Sequence, residues 1–275
     1  MMKRTNWLVA TTFSLLLTGC FEGNLTTEEL CEKNPELRCE QLNMSDGQCR
    51  IPRTNLVWHR FEVMKAPTEA NKVQEYKLVA EYRKCLELAS QITPIDQSAL
   101  KRQRFNALVN SIDELERIVN DLQSTSDPST LYFLWSQTGD NNARRRFLQM
   151  EGTTALDTAE LQFALATFYT TRDQEKTITI LDKALSLTQD GKVNPEILKS
   201  MASIHQGLNR KERAYIWTMV AKRFDVQVAS EKNLKVMFNF SDASKYDSLD
   251  DIAGNVAKAI DKGRYHPSLI PTNLE

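Results

Sequence analysis

The cysteines are the residues of this 275-residue chain with the most assignable chemistry: Cys20, Cys31, Cys39, Cys49 and Cys85. A thiolate binds zinc in sets such as C-x-x-C with a second Cys or His pair nearby, and neither spacing occurs here. His59, His205 and His266 stand far apart and form no H-x-x-x-H pair. No metal and no cofactor is expected. There is no Gly-x-Ser-x-Gly elbow for a hydrolase nucleophile. Asp190-Gly191-Lys192 lacks the earlier glycine and the following Ser or Thr of a phosphate loop. Asp247, Asp250 and Asp251 lack the alternation and glycine of a calcium loop, so they read as an acidic helix start. No catalytic residue is nominated, and the chain is expected not to be an enzyme.

Charge narrows the partners. Lys plus Arg is 35 and Asp plus Glu is 36, so the basic excess of a general nucleic-acid binder is missing. Locally, Ile197 to Phe224 is basic, with Lys199, Arg210, Lys211, Arg213, Lys222 and Arg223 against Glu212. Arg144-Arg145-Arg146 makes a second basic cluster. Such residues cover apolar stems at a solvated face, or they form a surface for an acidic partner.

The elements that position these residues begin with an export signal. Lys3 and Arg4 precede the apolar run Trp7 to Leu17, which is short of the about 20 residues a spanning helix needs. The run ends in Leu17-Thr18-Gly19-Cys20, which resembles the lipobox of bacterial lipoproteins. That resemblance implies cleavage before Cys20, a thioether-linked diacylglycerol on its sulfur and acylation of its amine. Two or more acyl chains hold a protein stably on a membrane. Phe21, where an Asp would favour inner-membrane retention, implies an outer-membrane anchor facing the periplasm. Loss of residues 1–19 removes Lys3 and Arg4 and shifts the net charge from −1 to −3. In that oxidising compartment the remaining four cysteines are expected to form two disulfides, in any of three pairings. One bridge is expected to tie the N-terminal segment to the helix carrying Cys85.

Glycine (9) and proline (8) are scarce, which favours long helices over a turn-rich sheet. After a short tether (20–27), residues 28–123 read as a stapled helical region. Thr54 is a candidate cap for a helix with Val57, Phe61 and Met64 on one face. Leu78, Tyr82, Cys85, Ala89 and Ile92 form one stripe. Phe105, Leu108, Ile112, Leu115, Val119 and Leu122 form another. The two stripes predict an antiparallel hairpin with a coiled-coil-like seam. Residues 123–127 are a polar joint. Beyond it, 128–263 reads as shorter helices in pairs, closed by an amphipathic helix over about 248–262 with Gly263 as its stop. Residues 227–246 read as a polar segment and 264–275 as a mobile tail. The expected architecture is all-α.

Leu161 to Leu187 resembles a tetratricopeptide repeat. Leu161, Ala164 and Phe168 serve its first helix, Asp173 its turn, and Ile178, Leu181 and Ala184 its second. Thr177 and Arg172 depart from the small residues usual there. Pro195 to Phe224 resembles a further unit, and its Ala214-Tyr215-Ile216-Trp217 stretch is similar to Sel1-type repeats. A weaker unit spans Leu131 to Met150. The Cys31-Glu-Lys-Asn-Pro-Glu-Leu stretch, the Asp46-Gly47-Gln48-Cys49 turn and Cys85-Leu-Glu-Leu-Ala-Ser resemble an uncharacterised family of gammaproteobacterial lipoproteins. Together these imply a membrane-anchored helical-repeat module that binds or assembles an envelope protein. The alternatives are an envelope enzyme or enzyme cofactor acting on peptidoglycan, and a small-ligand-binding lipoprotein. Candidate contact residues are Arg210, Lys211, Arg213, Trp217, Phe168 and Tyr169, with Tyr132, Trp135 and Phe163 beside them.

Overall fold

A computed structural model describes residues 25–92, 98–189 and 191–274. The expected signal segment and the lipidation site Cys20 lie outside the described residues. Those residues are helical and contain no strand, as the all-α reading requires. Contacts divide the chain into two compact units, 1–118 and 119–275.

In the first unit, α1 (Thr27–Lys33) opens with a capping box. The Thr26 hydroxyl accepts from the Glu29 amide, and the Glu29 carboxylate accepts from the Thr26 amide. Two 3-10 turns follow, Pro35–Leu37 and Cys39–Gln41, hinged at Arg38 in the left-handed region (φ 54°). The Cys31–Cys39 disulfide closes this compact segment. Next come α2 (Arg50–Lys65), α3 (Glu69–Ala89, capped by Thr68) and α4 (Ser98–Leu122). The second helix starts at Arg50, ahead of the expected cap at Thr54. Pro52 in its first turn has no amide to leave unbonded and so does not delay the start.

The Cys49–Cys85 disulfide joins the start of α2 to the last turns of α3, so the two run antiparallel. The N-terminal segment is thereby tied to the Cys85 helix, as expected. The close helical hairpin, however, is α2 with α3, not α3 with α4. The predicted α4 stripe is also displaced. The buried face of α4 carries Arg104, Ala107, Ser111, Glu114, Leu115, Ile118 and Leu122, so Leu115 and Leu122 of the expected stripe are buried while Phe105 and Ile112, with Val109 beside them, are exposed. Polar groups of the stapled segment account for this. Tyr82 of α3 donates to Asn43 Oδ1 (2.5 Å), and Asn110 of α4 donates to the Gln41 carbonyl (3.0 Å). The segment therefore bridges α3 and α4, and it presents carbonyls and a carboxylate to the polar side of α4.

The second unit is built from helical pairs: α5 (Pro128–Thr138) with α6 (Asn141–Leu148), α7 (Ala159–Tyr169) with α8 (Gln174–Ser186), and α9 (Pro195–Gly207) with α10 (Lys211–Arg223). Asp127, Asp140, Thr158, Asp173 and Asn194 each accept from first-turn amides, which is why the pairs begin where they do. Gly139 ends α5 at φ 72°, a backbone conformation that favours glycine. The second helices of the two later pairs pack onward, α8 on α9 and α10 on α12 (Ala243–Asp261), whereas the first pair meets the next through α5 and α7. Gly263, at φ 61°, follows α12 as expected.

Two expectations for this unit are corrected. The segment read as polar, 227–246, contains α11 (Glu231–Phe238), whose Leu234 and Phe238 are buried. The tail read as mobile is docked through Leu274. Tyr265 and Ile270 are buried, the Tyr265 hydroxyl donates to Asp182 (2.5 Å), and Arg213 donates to the carbonyls of Pro271 (3.1 Å) and Leu274 (3.2 Å). Tyr265, Leu269, Ile270 and Leu274 are interrupted by Pro267 and Pro271, so no helical or strand period announces this docking.

Candidate functional site

The first helices of two successive pairs, α5 and α7, pack side by side and bring a row of aromatic rings together. Tyr132 meets Trp135 edge-on at 5.6 Å, Trp135 meets Phe168 at 5.9 Å, and Phe168 meets Tyr169 at 5.0 Å. All four are half-buried, so part of each ring is accessible at the surface. Two cations lie over the row. The Arg172 guanidinium sits 4.2 Å from the Phe168 centroid and the Lys176 ammonium 3.8 Å from that of Tyr169. Glu151 fixes one end, accepting from the Tyr169 hydroxyl (2.6 Å) and pairing with Lys176 (2.7 Å). Burial pushes the Glu151 carboxyl up, but the hydrogen bonds from Lys176 and Tyr169 outweigh it, and it titrates below the ordinary glutamate value. The arrangement offers aromatic faces and fixed positive charge, which suits a partner segment with apolar and acidic side chains.

The other sequence-selected residues do not join this row. Trp217 is core: it is 1 % exposed, and its ring lies 6.0 Å from that of Tyr265. The indole points inward because Ala214, Trp217 and Ala221 share the face of α10 that meets its neighbours, where small residues leave room for a large one. Arg210 is held by Glu175 through two hydrogen bonds (3.1 and 2.5 Å), and Arg213 by the tail carbonyls. Lys211 is exposed. The basic segment thus spends two of its cations on internal partners. Arg146 likewise donates to the carbonyls of Thr125 and Gln123. His205 is buried, and its Nδ1 meets no hydrogen-bond partner among the described residues. Burial first, then the nearby Arg213 and Arg210, pull its pKa down to about 4.

A cavity of about 750 Å³ opens between α10, α11 and α12. Tyr215, Phe240 and Tyr246 line it, with ring centroids 5.0 to 5.8 Å apart. The Tyr215 hydroxyl donates to Asp250 (3.2 Å), and Lys222, Glu231 and Lys235 also line the cavity. Sequence patterns do not reveal it, because its wall includes α11, hidden in a segment that reads as polar.

The first unit holds a buried ionic network that sequence patterns also missed. Arg60 of α2 donates to Glu75 of α3 (3.2 Å), to Glu114 of α4 (3.0 Å) and to the Leu37 carbonyl (3.0 Å). Arg38 and Arg117 add further bonds to Glu114. Burial pushes the Glu114 carboxyl up, and Arg117, Arg60 and Arg38 together outweigh it, so it ionises more readily than an ordinary glutamate. A second group joins Asp46 to Arg104, and Arg53 to the Asn43 (2.5 Å) and Asp46 (2.8 Å) carbonyls. The hydrogen bond from Arg104 holds the Asp46 carboxyl below its usual range. Every guanidinium here points at a backbone or carboxylate partner, which is an arrangement for holding the stapled segment. Among the described residues no cluster of His, Cys, Asp and Glu could hold a metal.

No curated protein and no solved structure matches the chain. A family model described as a protein of unknown function, DUF2989, matches residues 17–219, about three quarters of the sequence. The match runs through both disulfides, the buried ionic network and the aromatic row, and on that extent the chain belongs to the DUF2989 family.

Proposed function

We propose that this protein is a membrane-anchored lipoprotein of the bacterial envelope that holds a segment of a partner protein across the aromatic row of α5 and α7. The helical pairs act as tetratricopeptide-like repeats, whose stacked first helices make a continuous binding face. The observation that carries the reading is the row itself: half-buried Tyr132, Trp135, Phe168 and Tyr169 contributed by adjacent first helices, with Arg172 and Lys176 over the rings. Partly exposed aromatic rings beside a cation are typical anchors for a peptide. The anchor is a lipid on Cys20, and the partner is a protein of the same compartment. No catalytic step is assigned.

The test is capture from living cells. Crosslinking followed by purification should recover a specific partner with the unaltered chain. Trp135→Ala with Phe168→Ala should lose it while the protein remains folded and membrane-associated. Cys20→Ser should lose incorporation of labelled fatty acid. Unchanged capture by the Trp135/Phe168 variant sinks the binding face, and labelling that survives in Cys20→Ser sinks the anchor.

A second reading is favoured by the cavity beside Tyr215. Its about 750 Å³ and its lining, in which aromatic rings alternate with charged groups such as Lys222, Lys235 and Asp250, suit a small amphipathic ligand. Native mass spectrometry of protein purified from its own cells would reveal a bound molecule, which Tyr246→Ala should release.

A further inference from the structure

Helix α4 is apolar on the side that faces away from its own core. Phe105 is 59 % exposed, Val109 40 % and Ile112 39 %, and they follow one another at i, i+4 and i+7. At 100° per residue they share a stripe with the half-buried Leu108, and the stripe continues to Lys101 at one end and Glu116 at the other. Arg102 flanks the basic end and Asp113 the acidic end, all four of these charged residues being exposed. The stripe is about 22 Å long, from a cation to an anion, with three large apolar side chains between.

This order is complementary to itself when reversed. Two such helices laid antiparallel about the point between Leu108 and Val109 set Phe105 opposite the partner subunit's Ile112 and Lys101 opposite the partner subunit's Glu116. At the centre Leu108 lies opposite the partner subunit's Val109, and Val109 opposite the partner subunit's Leu108. A parallel arrangement sets Lys101 against the partner subunit's Lys101 and gains no such pairing. Two-fold symmetry requires a patch that is its own complement, and this one is. The apolar residues supply the attraction. The terminal charges, exposed and screened, mainly choose the direction.

We propose that α4 pairs with α4 of a second copy of this chain in an antiparallel, two-fold dimer centred on Leu108 and Val109. The pairing also accounts for the unusual inside of the helix. Arg104, Asn110 and Glu114 hold α4 to the stapled segment by directional polar bonds to Asp46, Gln41 and Arg38, which leaves its apolar stripe free for a partner.

The test places single cysteines in the full chain, expressed in its own cells. The native Cys31–Cys39 and Cys49–Cys85 pairs are already bridged. Val109→Cys should give a covalent dimer on mild oxidation, visible on a non-reducing gel at twice the chain mass. Asn120→Cys, exposed on the same helix but far from the two-fold axis, should not. In the Val109→Cys background, Lys101→Glu and Glu116→Lys should each cut the dimer band severalfold, and the two together should restore it. Phe105→Lys should abolish it, and an unchanged circular dichroism spectrum shows that the fold is kept. A Val109→Cys protein that stays monomeric overturns the proposal. So does a crosslinked band of any other mass, which marks a different partner, and so does a charge-reversed double variant that is no better than the singles.

Discussion

Arg60 and Glu114 meet at 3.0 Å inside the first unit, each with a side chain 5 % exposed. They come from α2 and α4, and the Leu37 carbonyl of the stapled segment shares the same guanidinium. One arginine therefore fastens three separate stretches of chain. Such a pair contributes less through its own attraction than through the cost of breaking it, because a lone buried charge has no water to turn to.

Removing one partner should be severe. Glu114→Ala leaves Arg60 buried with one carboxylate fewer, and the expected loss is about 3–5 kcal/mol. Arg117→Ala, at the same carboxylate but with a side chain 39 % exposed, should cost under about 1 kcal/mol. Urea unfolding of the oxidised protein measures both, and equal losses would contradict the buried-pair account.

The two disulfides should differ in worth. Cys49–Cys85 closes a separation of 36 residues and Cys31–Cys39 one of 8. On chain entropy alone the longer loop is worth about 4 kcal/mol and the shorter about 2.5 kcal/mol. Paired Cys→Ser substitutions should rank in that order by denaturation midpoint.

His205 should make the second unit sensitive to mild acid. Its ordinary value is 6.5 and burial lowers it to about 4 in the fold. The unfolded chain therefore binds a proton that the folded chain refuses between these values. Stability is unaffected above pH 6.5 and falls as pH drops toward about 4, by up to about 3 kcal/mol. His205→Leu should flatten that part of the profile. Melting temperatures of both proteins at pH 7 and pH 5 decide it, and parallel losses in the two would refute the assignment.

The tail should be a structural part of the second unit. Burial raises the Asp182 carboxyl above the ordinary aspartate value, although the Tyr265 hydroxyl opposes this. Tyr265→Phe takes away that hydroxyl and should cost about 1–3 kcal/mol. Truncation after Lys262 should cost more, since it also exposes the Trp217 edge and frees Arg213. Hydrogen exchange in α10 should rise in both variants.

Local rules carried much of the fold. Capping residues at Thr68, Asp127, Asp173 and Asn194, the stop at Gly263 and the breaks between pairs are set by chemistry within a few residues, so the sequence alone placed those helices. The four bridged cysteines could be named, but not their pairing, because spacing does not fix which thiols approach. The aromatic row was half legible: Phe168 and Tyr169 stood out as residues, whereas their union with Trp135 depends on how α5 lies beside α7.

What only tertiary structure decided was which face of a helix turns inward. The sequence shows that α4 has an apolar stripe, and burial of that stripe is the ordinary expectation. The fold instead buries Arg104 and Glu114, because the stapled segment brings Asp46 and Arg38, and α2 brings Arg60, to meet them. A charged side chain enters a core only when its partners arrive from elsewhere in the chain, and periodicity within one helix holds no record of those distant partners.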